Sequence, residues 1–127
     1  MVVHPSDMAL TCLIVDDNSL FLESSADLLR REGLDVVGVA SNSAQAIQLV
    51  SELRPDVTLV DIDLGDEDGL ELTRQLSDTS AAPKVILVST HSADDLAQLI
   101  AASPALGFVP KTRLSAQAIR DLFDRAA

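Results

Sequence analysis

The sequence predicts an α/β domain in which a five-stranded parallel sheet carries helices on both faces. Five short apolar runs rich in β-branched residues alternate with five longer segments whose apolar residues recur at helical spacing. The first, third and fourth runs are almost continuously apolar, which is typical of parallel strands covered on both faces. The predicted strands are Leu10–Val15, Val36–Ala40, Val57–Val60, Val85–Val88 and Gly107–Val109.

Capping signals mark the ends of the helical segments between these strands. We expect Ser19 to cap the first helix and Gly33 to end it. Asp68 is expected to cap the third helix, and Ser115 the fifth. The chain shows no internal repeat, low-complexity tract or linker, so we expect one domain over residues 1–127, either a whole protein or an excised domain.

Composition and charge exclude several classes of protein. A chain of 127 residues can bury one core, which must be aliphatic because Trp and Tyr are absent. The net charge of −11 argues against direct binding of nucleic acid. No apolar run approaches the roughly 18 residues of a membrane span, and the N-terminus does not resemble a signal peptide, so we expect a cytoplasmic protein. Cys12, the only cysteine, is expected to be a buried structural thiol.

Acidic residues follow two of the predicted strands. Asp16 and Asp17 come directly after the first apolar run, and Asp61 comes directly after the third. The carboxyl ends of parallel strands meet in one crevice, which is where α/β sheets bind their ligands. Carboxylates crowded into such a crevice repel one another unless a cation lies among them. The pattern therefore predicts a hard metal ion, with Asp61 as a nucleophile towards a phosphoryl group.

Two further polar side chains follow later strands. Ser89 ends the fourth run, where its hydroxyl could hydrogen-bond a phosphoryl oxygen or simply cap the strand end. Lys111 follows the fifth run and could supply positive charge to a phosphoryl group, although a lone lysine is more often a solvated surface residue. We interpret the acidic residues Asp66, Glu67 and Asp68 as a solvated turn before the third helix.

Four motifs end at or follow the predicted strands. They are Leu13 to Asp17, Pro55 to Leu64 leading to Asp68-Gly69, Val85 to Ser89, and Gly107 to Lys111. In this order and at these strand ends the motifs are specific, and along essentially its whole length the chain resembles the receiver domain of bacterial two-component response regulators. The resemblance implies a doubly wound, flavodoxin-like (βα)5 fold.

The resemblance also implies a metal site and a phosphoacceptor. Asp61 would be phosphorylated, Asp17 would bind Mg²⁺ directly, and Asp16 would help through water. The backbone carbonyl of Asp63 would complete the protein ligands. Gly65 stands where the family usually has proline, which predicts a more mobile loop.

Three further residues take switching roles in the resemblance. Ser89 would be the switch hydroxyl, Lys111 would pair with Asp61 or its phosphate, and Phe108 would be the aromatic switch residue. Thr90 is a second hydroxyl beside Ser89, so the switch assignment could shift by one residue.

The leading hypothesis is a signalling receiver phosphorylated on Asp61 by a sensor histidine kinase or a phosphotransfer protein. We expect slow autodephosphorylation and no other enzymatic activity. The face built from Ala93–Ala102, Gly107–Val109 and Ser115–Arg125 is then expected to contact a downstream effector, an output domain beyond this chain, or a second copy of the chain.

Two alternatives from other classes remain open from the sequence. A phosphohydrolase of the haloacid dehalogenase type would use Asp61 as nucleophile and Asp63 as general acid, but would leave Asp16 and Asp17 unexplained. A protein-interaction domain of receiver fold that is never phosphorylated would have no use for its acidic, hydroxyl and lysine groups.

Overall fold

Five parallel strands form the central sheet of the structure, a computed structural model that describes residues 10–90 and 93–125. The strands are β1 (Thr11–Val15), β2 (Asp35–Ala40), β3 (Val57–Asp61), β4 (Lys84–Ser89) and β5 (Gly107–Pro110). Their order across the sheet is β2-β1-β3-β4-β5, and every neighbouring pair is parallel. This is the flavodoxin-like order, in which ligands bind beside the switch point between β1 and β3.

The predicted strands agree with the structure to within two residues at each end, and the differences affect the polar residues at the carboxyl ends. β3 continues through Asp61, which pairs with Val88, and β4 continues through Ser89, which pairs with Pro110. These two polar residues are therefore held by the sheet ladder rather than by the loops after it. Pro110 is tolerated in a strand because β5 is an edge strand.

Within the described residues, four α-helices connect successive strands and a fifth follows β5. They are α1 (Ser19–Arg31), α2 (Ser43–Leu53), α3 (Gly69–Ser77), α4 (Ala93–Ala101) and α5 (Ala116–Arg125). Helices α1 and α5 bury one face of the sheet, while residues of α2, α3 and α4 pack against the other. None of the described helices is long and apolar enough to cross a bilayer. The N-terminal residues, for which we predicted no signal peptide, lie outside the described range.

Helix capping follows the sequence prediction at three positions and differs at one. Asp68 accepts a hydrogen bond from the Leu70 amide, and Ser115 accepts one from the Ala118 amide, as N-caps do. Gly33 ends α1 with a φ of +99°, a conformation that glycine adopts without strain. The prediction that Ser19 caps α1 is wrong: Asn18 is the cap, because its side-chain oxygen accepts from two backbone amides, those of Leu20 and Phe21.

The core is aliphatic, as composition requires. Alternate residues of β1 point to opposite faces, so that Cys12 and Ile14 lie in one cluster and Leu13 and Val15 in the other. Cys12 is fully buried, and burial raises the pKa of its thiol to about 12. A thiol that remains protonated and inaccessible is unreactive, which supports a structural role.

Gly69, the first residue of α3, is required by a close approach of two backbones. Its amide donates to the Ile62 carbonyl at 2.9 Å, which brings the start of the helix against the end of β3. A Cβ at this position would collide with the backbone carbonyl oxygen of Asp61 and lie 2.9 Å from Cα of Ile62. A side chain here would therefore displace either α3 or the strand end that carries Asp61.

We predict that Gly69→Ala lowers the free energy of unfolding by about 3 kcal/mol, the upper range for overpacking a buried site, because only backbone movement can relieve the collision. Gly38→Ala is the matched control, because the three atoms nearest to its Cβ all belong to side chains, those of Leu53, Leu13 and Leu49, at 3.3, 3.4 and 3.9 Å. Guanidinium unfolding of both variants measures the difference. Equal losses in the two variants would contradict this account of Gly69.

Candidate phosphoryl-transfer site

Carboxylates from two neighbouring strands converge at the carboxyl edge of the sheet. Asp16 follows β1 and is fully buried, its backbone amide donating to the Ala40 carbonyl at 3.0 Å. Asp61, the last residue of β3, is 5% exposed. Because β1 and β3 are adjacent and in register, the predicted convergence of these acids is present.

Lys111 joins the two buried carboxylates. It is the first residue of a short 3₁₀ turn directly after β5, and its Nζ lies 2.5 Å from Oδ2 of Asp16 and 3.0 Å from Oδ2 of Asp61. Its side chain is only 13% exposed. The lysine is therefore part of the site and not the solvated surface residue that its type alone would favour.

Asp17 adds a third carboxylate to the cluster. One oxygen each from Asp16, Asp17 and Asp61 can be chosen such that all three lie within 4.8 Å of one another, with Asp17 the exposed member. Three carboxylates against one ammonium leave a formal charge of −2 when all are ionised. Hard oxygen donors with excess negative charge, one of them open to solvent, suit Mg²⁺, which keeps several waters when bound. The donor set therefore fits the predicted ion.

The buried charges shift the acidities of Asp61 and Lys111. Burial raises the pKa of Asp61 to about 6, since hydrogen bonds from Lys111 and from the Asp63 amide offset only part of the desolvation cost and the charge of Asp16 adds to it. Burial alone would lower the pKa of Lys111, but its hydrogen bonds to Asp16 and Asp61 outweigh that effect and raise it. Lys111 therefore remains charged at neutral pH.

The predicted switch residues Ser89 and Phe108 lie in β4 and β5, the two strands beyond β3 in the sheet. Ser89 is fully buried as the last residue of β4, whereas Thr90 is exposed and lies beyond the strand. The burial and strand position of Ser89 favour it over Thr90 as the hydroxyl at the site. Phe108 is half-buried in β5, paired with Leu87, and lines a surface groove together with residues of α5.

Phe21 is a component of the site that the sequence reasoning missed. The Lys111 ammonium lies 4.3 Å from the centre of its ring, within the range of a cation–π interaction. Phe21 lies in the first turn of α1, just after the acidic pair, so its place at the sheet edge could have been inferred from the start of that helix.

The acidic loop after Asp61 is a short β-hairpin, which was not predicted. Asp63–Leu64 pairs antiparallel with Glu67–Asp68, and Gly65 in the turn has a φ of +63°. A positive φ at the first turn position suits glycine and excludes proline, so Gly65 fits the turn of this hairpin. Its effect on the mobility of the loop stays a prediction. The Asp63 amide donates to Oδ1 of Asp61 at 3.0 Å, which ties the hairpin to the phosphoacceptor position.

Two of the three acidic residues that we read as a solvated turn make specific contacts. Asp68 caps α3, as predicted. Glu67 accepts a hydrogen bond from the amide of Ser43 at 2.8 Å, a contact to α2 that local sequence does not reveal. Asp66 is exposed, as the solvated-turn interpretation requires.

Comparison with known proteins identifies the family of the chain. A family model described as the response regulator receiver domain matches residues 12–123. The chain is 30% identical over 106 residues to the transcriptional regulatory protein LiaR of Bacillus subtilis, covering 83% of this chain and 50% of that protein. It is 34% identical over 83 residues to a protein-glutamate methylesterase/protein-glutamine glutaminase of Halobacterium salinarum, covering 65% of this chain and 24% of that enzyme.

A solved structure shares the fold over most of both chains. The receiver domain of the putative response regulator NarL from Mycobacterium tuberculosis superposes with a TM-score of 0.79 at 26% identity, covering 91% of this chain and 97% of that one. The chain spans half or less of the two curated relatives above, and the part it matches in the family model is the receiver domain. Nothing in these matches supports the dehalogenase-type alternative. This chain belongs to the family of response regulator receiver domains.

Proposed function

We propose that this receiver accepts a phosphoryl group on Asp61, from a histidine kinase or a phosphotransfer protein, in a reaction that requires Mg²⁺. The observation that carries the proposal is the lysine shared by two buried carboxylates, with a third, exposed carboxylate within 4.8 Å. We further propose that residues 1–127 act as one receiver domain, since the family match spans residues 12–123.

Asp61 acts as the nucleophile of the proposed reaction. One of its oxygens attacks phosphorus, and the bond from phosphorus to the donor atom breaks, with the electron pair leaving on the donor. Asp16, Asp17, Asp61 and the backbone carbonyl of Asp63 are the groups that would hold Mg²⁺. A bound Mg²⁺ neutralises the charge that develops on the phosphoryl oxygens. The same geometry permits slow hydrolysis of the acyl phosphate, and we propose no other catalytic activity for this domain.

Lys111 provides the positive charge that the phosphoryl group needs on its other side. In the unphosphorylated domain its ammonium is held by Asp16 and Asp61. A phosphoryl group adds about −1.5 to −2 charge and three strong acceptor oxygens, so the ammonium gains a further partner without leaving the site. The Phe21 ring, 4.3 Å from the ammonium, adds a cation–π contact that supports this position.

We propose that Ser89 and Phe108 transmit phosphorylation to the surface. The Ser89 hydroxyl would hydrogen-bond the phosphoryl oxygens, and the half-buried Phe108 ring would move inwards as β4 shifts. The surface that would change consists of α4, β5 and α5. An effector protein, an output domain outside this chain, or a second copy of the chain would bind there, in the cytoplasm. The net charge of −11 argues against direct contact with nucleic acid.

Mass spectrometry of the intact protein tests the phosphoacceptor directly. Incubation with acetyl phosphate and Mg²⁺ is expected to add one phosphoryl group to the wild type and none to Asp61→Asn, because the amide is not a nucleophile for this transfer. Asp66→Asn is the control, an exposed acid of the same loop, and should be labelled like wild type. Labelling of Asp61→Asn at the wild-type level would contradict the proposal, and absence of any labelling would favour a non-phosphorylated interaction domain.

The raised pKa of Asp61 predicts a specific pH dependence of stability. The pKa of the Asp61 carboxyl is about 6 in the folded protein, above the value of 3.8 for an unperturbed aspartate. A group of this kind contributes its full stabilisation below the unfolded pKa, and that stabilisation is lost as the pH rises through the folded pKa. Without Mg²⁺, the free energy of unfolding of Asp61→Asn relative to that of wild type should therefore rise by about 2 kcal/mol from pH 4 to pH 7. Guanidinium unfolding at both pH values measures this change. A difference that does not vary with pH, or one that Asp66→Asn reproduces, would contradict the assignment.

A further inference from the structure

Glu67 connects the hairpin after β3 to the start of a different helix. Its Oε1 accepts a hydrogen bond from the backbone amide of Ser43 at 2.8 Å, across 24 residues of chain. Ser43 is the first residue of α2, where backbone amides lack intrahelical partners. The N-cap Asn42 accepts from the amide of Gln45, and so does not serve the amide of Ser43. A carboxylate at a helix N-terminus is also favoured by the helix dipole.

The hairpin that Glu67 anchors forms one wall of the carboxylate cluster. Gly65, in its turn, lies so close to Asp17 that a Cβ on the glycine would be 3.1 Å from Oδ2 of that carboxylate. At its base, the Asp63 amide donates to Oδ1 of Asp61. Asp63 also pairs with Asp68 across the hairpin. Displacement of the Glu67 arm would therefore change the position of the Asp63 backbone and its distance from Asp17.

The two ends of the second strand of the hairpin, Glu67–Asp68, are held in different ways. The Asp68 side is fixed by the cap on α3 and by the Gly69 amide bonded to the Ile62 carbonyl. The turn residues Gly65 and Asp66 are exposed, and Glu67 is the next residue along the chain. Within residues 10–90 and 93–125, the Glu67–Ser43 hydrogen bond is the contact that joins this arm of the hairpin to α2.

We propose that Glu67 is a positioning residue for the divalent cation site. By accepting a hydrogen bond from the first amide of α2, it holds the hairpin in a position where the Asp63 carbonyl and the Asp17 carboxylate would both bind the same ion. This inference rests on the proposed function, which places Mg²⁺ among Asp16, Asp17, Asp61 and Asp63. Glu67 acts through the backbone it holds and does not itself bind the ion.

Titration calorimetry with Mg²⁺ tests this role with matched variants. Glu67→Ala removes both the charge and the hydrogen-bond acceptor, and should weaken Mg²⁺ binding about tenfold, the low end for outer-shell partners because Glu67 is exposed. Glu67→Gln retains an acceptor for the Ser43 amide and should recover most of the affinity. Asp66→Ala removes an equal charge from the neighbouring, exposed position and serves as the electrostatic control.

Amide hydrogen exchange provides a second readout that does not depend on the metal. The Ser43 amide should exchange faster in Glu67→Ala than in wild type or Asp66→Ala, while amides of β3 keep their protection and show that the variant is folded. The inference is overturned if Glu67→Ala binds Mg²⁺ as Asp66→Ala does, or if Glu67→Gln is as weak as Glu67→Ala. Wild-type protein that binds no Mg²⁺ would instead overturn the metal site itself, together with the inference.

Discussion

The rest of the site depends on the ion pairs that the Lys111 ammonium forms with both Asp16 and Asp61. The three residues come from the ends of β1, β3 and β5, and β4 lies between the last two strands in the sheet. The lysine therefore extends across the end of β4, where Ser89 is buried. A parallel sheet in this order places the edge-strand lysine, the central acid and the intervening hydroxyl on one edge.

The carboxylate cluster is electrostatically unfavourable in itself, and the rest of the fold is stable enough to tolerate it. One ammonium does not balance three carboxylates, and burial raises the pKa of Asp61 against the pull of its lysine partner. Such an arrangement costs stability in the isolated domain, and in the proposed function a divalent cation would supply the missing positive charge. The aliphatic core on both faces of the sheet supplies the stability that allows this. Gly69 and the hairpin then fix the backbone around the unbalanced charges.

Much of the fold and of the site could be predicted because both depend on local sequence signals. Apolar runs and helical spacing define the elements, and the parallel topology brings strand ends together, so the convergence of Asp16, Asp61 and Lys111 followed from their positions in the chain. The cap of α1 was misassigned by one residue, because both Asn18 and Ser19 are good cap residues and only the backbone geometry selects between them. Strand ends were placed too early because polarity was taken as the limit of β3 and β4, whereas ladder pairing extends through Asp61 and Ser89.

What could not be predicted were contacts between elements distant in the chain. The Phe21 ring over Lys111 and the Glu67 hydrogen bond to Ser43 depend on the orientation of side chains across the crevice, which no sequence period encodes. The hairpin was missed because its two-residue strands are too short to show alternation.

The central claim is that the carboxylate cluster and Lys111 together bind a divalent cation and a phosphoryl group on Asp61. A crystal structure of the chain with Mg²⁺ and beryllofluoride tests it most directly. The account predicts beryllofluoride bonded to a carboxylate oxygen of Asp61, Mg²⁺ in contact with Asp17 and Asp61, and the Lys111 ammonium in contact with a fluorine. A beryllofluoride adduct on another residue, or Mg²⁺ bound away from these carboxylates, would contradict the account.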